Sequence, residues 1–349
     1  MQFSVKHSPL PSSEDEILAI IGKYFSDIQP QILLGRGDDC ALVQFDRPMA
    51  VSSDLFLENV HFRLSYFEPE EIGHKALAVN LSDIAACGAK PIGFTLSLGL
   101  PKGTEISWLD RFFQGMANLA NKYKTSLIGG DLSRANNLEI SITIFGEIPG
   151  ASCFLPRGGS MPGDILFLIG QIGLAYVGLQ VLERFGREAL AEWPQATRAH
   201  LLPNPYINSG LVLSRAAFNA RPPALMDISD GILSDLPRLL GLSGELGTGN
   251  NYAGMLGANL KINPNDLNPE LLRWSHAHHK NPVMTALIGG EDYALLGTCA
   301  PDMLPTLKAA IPEFLALGQI TDEAKIICND EEIGLHGFDH FAKDSNLDA

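Results

Sequence analysis

Apolar and polar positions follow two different periods along this chain. From Glu139 to Glu147 the apolar residues fall at every second position, as in a strand with one buried face. Ile92–Leu100 is an almost continuous apolar run and reads as a buried strand. Met49–Ser53 reads as a strand ending at Asp54, and Ser126–Ile128 as a short strand ending at Gly129-Gly-Asp131. Helical signals lie between them. Ser13-Glu-Asp-Glu16 has the form of a capping box and predicts a helix through Phe25. Pro69-Glu-Glu71 opens a second helix, with acids beside its positive end, running to about Cys87 and capped by Gly88. Glu105–Tyr123 predicts a third.

Pro149–Gly163 is rich in proline, glycine and serine, which places a domain boundary there and predicts units 1–150 and 151–349. The second half is expected to begin with strand Asp164–Ile169 and a helix from about Leu174 to Phe185. Ala224–Met226 then enters Asp227 as a strand would, and a helix follows over Ile232–Leu240. Gly241–Asn259 predicts a long loop, and Tyr293–Thr298 and Phe314–Ile320 late strands. Strands alternating with helices in both halves define an α/β protein with α+β mixed sheets.

Composition narrows the function. At 349 residues the chain exceeds one ordinary core, and 46% hydrophobic with 19% charged residues is normal for a folded domain protein. A net charge of -15 argues against a nucleic-acid or anionic-membrane surface. Met1–Pro11 lacks the charged-then-apolar pattern of a secretory signal, and Leu166–Leu182 is too broken by glycine and glutamine to span a membrane. The five cysteines are scattered with no C-x-x-C pair, so neither a zinc site nor a disulfide framework is expected, and a reducing cytoplasm is.

The chemistry is carried by carboxylates in unusual company. Asn80-Leu-Ser-Asp83, Gly129-Gly-Asp131, Asp227-Ile-Ser-Asp-Gly231 and Gly289-Gly-Glu-Asp-Tyr293 set acids among glycine, serine and apolar residues. A carboxylate so placed needs a cation or hydrogen-bond donors. Basic residues are scarce nearby, so divalent metal is the natural partner, and metal held by several carboxylates points to phosphate chemistry. Asp83 shares a helix face with Asn80 within an otherwise apolar stretch. Asp227 and Asp230 bracket Ser229 at a helix start, where N-capping and metal binding are both open. Asp54 and Asp131 could each be a turn residue taken alone; their occurrence together at element ends favours a shared cation site, to which Asp38-Asp39 adds. His276, His278 and His279 read as exposed helix-end histidines, and His61 as a core histidine. No phosphate-binding P-loop, protein-kinase motif set, nucleophile elbow or dinucleotide fingerprint is present.

In combination these strings resemble the thiamine-monophosphate kinase family of the aminoimidazole-ribonucleotide-synthetase-like superfamily. The matching segments are Gly37-Asp-Asp-Cys-Ala41, Ser53-Asp-Leu-Phe-Leu-Glu-Asn-Val-His-Phe62 and the Lys75–Ala89 run. They continue through Gly129-Gly-Asp131, Arg157 with Pro162-Gly-Asp164, Asp227–Gly231, Gly289–Tyr293 and Gly337-Phe-Asp-His-Phe341, covering nearly the whole chain. The resemblance implies a two-domain fold. Its N-terminal domain would bind ATP and metal and pair with its twin in a homodimer, and its C-terminal domain would close over the active site. It implies direct transfer of the ATP γ-phosphoryl group to thiamine monophosphate. It further implies magnesium ligands at Asp39, Ser52, Ser53, Asp54, Asp83, Asp131, Asp227 and Asp230, with Asp54, Asp131 and Asp230 catalytic. Gly130, Asp131, Arg157 and Ser229 would contact ATP, and His61, Glu291 and Phe338 the thiamine phosphate.

The chain departs from the family pattern at Leu132-Ser133, where two threonines are usual, and at Cys87, where methionine is common. Related synthetases and dehydratases of the superfamily remain alternatives, as does a non-catalytic nucleotide- or metal-binding module. The cysteines those rivals use, at the C-terminus or near the N-terminus, have no counterpart here.

Overall fold

A computed structural model describes residues 10, 11, 13–25, 29–34, 41–217, 220–241 and 256–334. Among these the strands are β1 (Ile32–Leu34), β2 (Leu42–Val43), β3 (Met49–Leu57), β4 (Lys90–Leu100), β5 (Ser126–Arg134), β6 (Glu139–Glu147) and β7 (Ile165–Ile169). They continue as β8 (Ala224–Asp227), β9 (Gly257–Leu260), β10 (Leu295–Cys299), β11 (Phe314–Thr321), β12 (Ile326–Cys328) and β13 (Glu331–Glu332). The chain divides into two compact units, Met1–Ile84 with Lys90–Glu147, and Ala85–Ala89 with Ile148–Ala349.

In the first unit four strands form a mixed sheet in the order β3-β6-β4-β5. β4 and β5 run parallel, joined by the helix Ile106–Tyr123 as a parallel crossover requires. The alternation read in Glu139–Glu147 holds: Ile140, Ile142 and Ile144 are buried beside Leu98, Leu96 and Phe94 of β4. Phe25 meets both Phe94 and Phe113 edge-on, at 6.0 and 6.5 Å, so the Ile106–Tyr123 helix covers this face. The helix Pro69–Ala86 covers it too, through the bond from Ser52 to Asp83. The other face is open. Val51 and Leu55 are more than half exposed there, beside Ser53, Thr143, Ser141, Ser97 and Asp131.

Two strands are longer than the pattern suggests. β3 continues to Leu57, placing Asp54 mid-strand rather than at its end, because Phe56 extends the buried alternation. β5 continues to Arg134, placing Asp131 mid-strand as well; a bulge at Ile128 of β5, opposite Phe94/Thr95, precedes the glycines, which stay paired with β4. The Ser13 hydroxyl accepts from the Glu16 N–H at 3.3 Å, and that helix spans Glu14–Tyr24.

The second unit is built on a seven-stranded sheet in the order β13-β12-β9-β11-β7-β10-β8. Its β7 is flanked by β11 and β10 and is wholly apolar, as a central strand should be. Helices Leu174–Phe185, Pro194–Leu201, Ile207–Ala216, Ile232–Leu239, Pro269–Ala277, Pro282–Ile288 and Leu304–Ala310 are added to it. Within the expected loop Gly241–Asn259, residues 257–259 belong to β9, while 242–255 lie outside the described residues. No helix among the described residues is long and apolar enough to cross a membrane.

Candidate active site

Asp54 projects from β3 toward the helix side of the four-stranded sheet. Asp83 projects from the helix Pro69–Ala86 toward the same place, and the Ser52 hydroxyl donates to its Oδ2. Burial first, and then the charge of Asp83, push the Asp54 carboxyl up to about 6. Two acids thus face each other with a hydroxyl between strand and helix, a set of oxygen donors only. Asn80, one turn before Asp83, is buried and donates to the Ala76 carbonyl at 3.0 Å.

Asp131 belongs to a different place. In register it lies beside Ser97, which lies beside Ser141 and then Leu55, so Asp131 is on the open face. Asp54, beside Ile142 and Leu96, is on the covered face. The two acids also occupy opposite edge strands of the sheet. Of the acids expected to share a cation site, Asp54 and Asp83 therefore meet within one copy of the chain, while Asp131 stands on the other face of the sheet. The physical reason is strand alternation, which sends a residue one register position away to the other face. Asp131 accepts from the Ser133 hydroxyl at 3.0 Å, and Ser53 is bonded to Thr143 at 2.9 Å on the same face. Gly130 packs so closely on β4 that a Cβ there would lie 1.9 Å from the Leu96 carbonyl oxygen. His61 lies beyond β3, its Nδ1 accepting the Leu57 N–H at 3.0 Å and its ring stacked on Phe56, which puts the ring proton on Nε2.

In the second unit two loops are joined edge to edge. The Glu291 N–H donates to the Ser229 carbonyl at 2.8 Å and the Tyr293 N–H to the Ile228 carbonyl at 2.9 Å. Gly290 makes this contact possible, since a Cβ would lie 2.5 Å from the Ser229 carbonyl oxygen. Asp227, at the end of β8, is buried. Asp230 is ion-paired with Arg238, which also binds Asp235 at 2.8 Å. Arg238 was not singled out from the sequence, although its spacing from Asp235 is that of helix neighbours. The charge of Asp230 is thus met by a guanidinium, which corrects the expectation of scarce basic residues here. Asp235 is fully buried and accepts the N–H groups of Ser229 and Asp230 at 3.1 and 3.0 Å. Its carboxyl is pushed up to about 6, chiefly by burial.

Asp292 accepts the N–H groups of Gly173 and Ala175, the latter at 2.9 Å, at the start of helix Leu174–Phe185. Burial outweighs those bonds and pushes it up to about 7. Glu291 meets His200 at 3.0 Å. Arg157 is exposed. Arg221, which was not foreseen, pairs with Asp164 and donates to the Gly159 carbonyl at 3.0 Å, fastening the loop after Arg157. His278 stacks on Trp274 at 4.3 Å and lies exposed at its helix end, as expected. Asp39 and Phe338 lie outside the described residues.

Among the described residues no three His, Cys, Asp or Glu side chains gather closely enough to hold a metal ion by themselves. A pocket of about 440 Å³ in the first unit, lined by Leu64, Lys102, Trp108 and Arg111, contains none of the expected site residues.

Comparison with known proteins identifies the class. Residues 37–148, which include the whole four-stranded sheet, match the AIR synthase related protein N-terminal domain. The likeness then extends across the chain. Thiamine-monophosphate kinase of Buchnera aphidicola subsp. Schizaphis graminum is 33% identical over 344 residues, covering 92% of this chain and 98% of that protein. The Escherichia coli K12 enzyme of the same name is 33% identical, covering 93% and 98%. Among solved structures, thiamine-monophosphate kinase of Stenotrophomonas maltophilia superposes with a TM-score of 0.74 at 29% identity, covering 93% and 98%. AaThiL complexed with AMPPCP and TMP gives 0.72 at 28%, covering 94% and 97%. The hydrogenase maturation protein HypE shares the fold alone, at 16% identity. The chain belongs to the thiamine-monophosphate kinase family, a family of ATP-dependent phosphotransferases.

Proposed function

We propose that this chain transfers the γ-phosphoryl group of ATP to thiamine monophosphate, giving thiamine diphosphate and ADP in the cytoplasm. The observation that carries the reading is likeness over more than nine-tenths of the chain to kinases of that name. The neighbour bound to AMPPCP and TMP supports the same pair of substrates.

The acceptor is a phosphate whose second pKa is about 6, so near neutral pH it is already mostly a dianion. Its attack needs no strong general base. The obstacle is repulsion between two anions, and removal of that repulsion with in-line alignment is what the site must provide.

Magnesium fits the residues present. Asp54, Asp83 and Ser52 are hard oxygen donors at one point, and the pressure on Asp54 comes from burial and a second acid. Bound there, magnesium would supply charge neutralisation for the phosphates. Ser53, Asp131, Asp227, Asp230 and Asp39 are its further expected ligands. Asp230 is the weaker candidate because Arg238 already answers its charge. Arg157, Gly130 and Ser229 are assigned to ATP, and His61, Glu291 and Phe338 to the thiamine phosphate.

The reading includes a homodimer formed through the four-stranded sheet. Its open face exposes Val51 and Leu55, an apolar surface a partner would cover. A second copy that set its β5 beside β3 would also bring an Asp131-bearing strand next to Asp54. Transfer is direct, without a phosphoenzyme. ADP release that depends strictly on added thiamine monophosphate, with inversion at a chiral γ-phosphorus, is the expected result. ADP release indifferent to the acceptor would refute the assignment, and retention would refute direct transfer.

A further inference from the structure

We propose that His200 is a positioning residue that aims Glu291 at the acceptor substrate, an inference that rests on the reading above. Glu291 has φ 63 and Tyr293 φ 50, left-handed values that non-glycine residues adopt at a cost of about 1–2 kcal/mol each. Such backbone persists only where its surroundings fix it, and here they do so from three sides. The Glu291 N–H is tied to the Ser229 carbonyl, and Gly290 lies against that same carbonyl. The Asp292 carboxylate is anchored on the amides of Gly173 and Ala175. The Glu291 backbone therefore has one place to be.

His200 holds the side chain. It stands on the helix Pro194–Leu201, with its side chain 1% exposed, and its Nδ1 lies 3.0 Å from Glu291 Oε2. A carboxylate only accepts, so Nδ1 carries the proton and donates. The helix beneath it is itself held: its first amides, of Gln195 and Ala196, donate to Glu270 at 3.2 and 2.8 Å. Across from it, Gly178 of helix Leu174–Phe185 approaches so closely that a Cβ would lie 3.0 Å from the His200 Cβ. A buried imidazole on a rigid helix thus spends its donor on a carboxylate that is itself 26% exposed at a loop tip. A hydrogen bond to a charged group that fixes one rotamer lowers the entropy lost when substrate binds. The effect belongs in substrate affinity, not in the phosphoryl step.

The test compares KM and kcat for His200→Leu, His200→Gln, His200→Asn and Glu291→Gln, each alone, and for His200→Leu joined to Glu291→Gln. His200→Leu is expected to raise KM for thiamine monophosphate about tenfold, with kcat and KM for ATP within about twofold. His200→Asn sets an amide near the Nδ1 position and should recover most of the loss. His200→Gln, whose amide reaches the Nε2 position instead, should not. Added to Glu291→Gln, His200→Leu should have no further effect on KM. Unchanged KM in both His200→Leu and His200→Gln, or independent effects in the double variant, would overturn the proposal. If His200→Leu does not fold, the contrast between the Gln and Asn variants decides it. An inactive wild-type protein would remove the functional reading, and this inference with it. An active wild type with unaltered variants would remove this inference alone.

Discussion

Copies carrying Asp54→Asn and copies carrying Asp131→Asn should each be nearly inactive, yet a mixture of the two should work. The two acids stand on opposite edge strands of the β3-β6-β4-β5 sheet. Three strand intervals of about 4.8 Å separate those edges by roughly 14 Å. Oxygen ligands of one magnesium ion, each at about 2.1 Å, lie no more than about 4 Å apart. Aspartate side chains on opposite faces cannot close that gap within one copy. If a symmetric partner supplies the second edge, each site takes Asp54 from one copy and Asp131 from the other. A mixed dimer then has one site with both residues altered and one site intact. Equal, random mixing makes half the dimers mixed, so roughly a quarter of wild-type activity should return. The assay is thiamine-monophosphate-dependent ADP formation after the two variants are unfolded and refolded together, with mixed dimers quantified by differential tags. Verified mixed dimers with no activity above the parents would refute a shared site.

Asp292→Asn should change how stability depends on pH. The folded carboxyl binds its proton up to about pH 7, against an ordinary value of 3.8. Its stabilising contribution is therefore fully present below about pH 4 and lost as pH rises through about 7, a span worth up to about 4 kcal/mol. Urea denaturation should show wild type losing stability relative to the variant across that range; a flat or opposite trend would mean the Gly173 and Ala175 amides hold the group charged. Gly130→Ala should destabilise the first unit by about 1–3 kcal/mol, since its Cβ would meet the Leu96 carbonyl, and an unchanged thermal transition would contradict that contact. Phe338→Ala should raise KM for thiamine monophosphate by loss of ring stacking, and an unchanged KM would remove Phe338 from the substrate's surroundings.

Much of the fold was legible because apolar periodicity governs it. Glu139–Glu147 and Leu174–Phe185 emerged with the bounds read from pattern alone. The ends of β3 and β5 did not, because a carboxylate or a pair of glycines looks like a turn until cross-strand neighbours are known. The same ambiguity hid which faces Asp54 and Asp131 occupy: the residue types were readable, but the face was set by register with β6 and β4. Arg238, Asp235 and His200 were not singled out, since each acts through a partner that the fold supplies. For Arg238 the helical spacing to Asp235 was available as a signal. For His200 the partner lies 91 positions away at Glu291, and no local pattern connects them.

The most direct measurement is phosphorus NMR of the wild-type protein with ATP, magnesium and thiamine monophosphate. Thiamine diphosphate and ADP should appear one for one, and neither should form when the acceptor is left out or when Asp54→Asn replaces wild type. Binding of ATP without any new phosphoanhydride, or equal product from the Asp54→Asn variant, would contradict a phosphoryl-transfer site built on the Asp54–Asp83 pair.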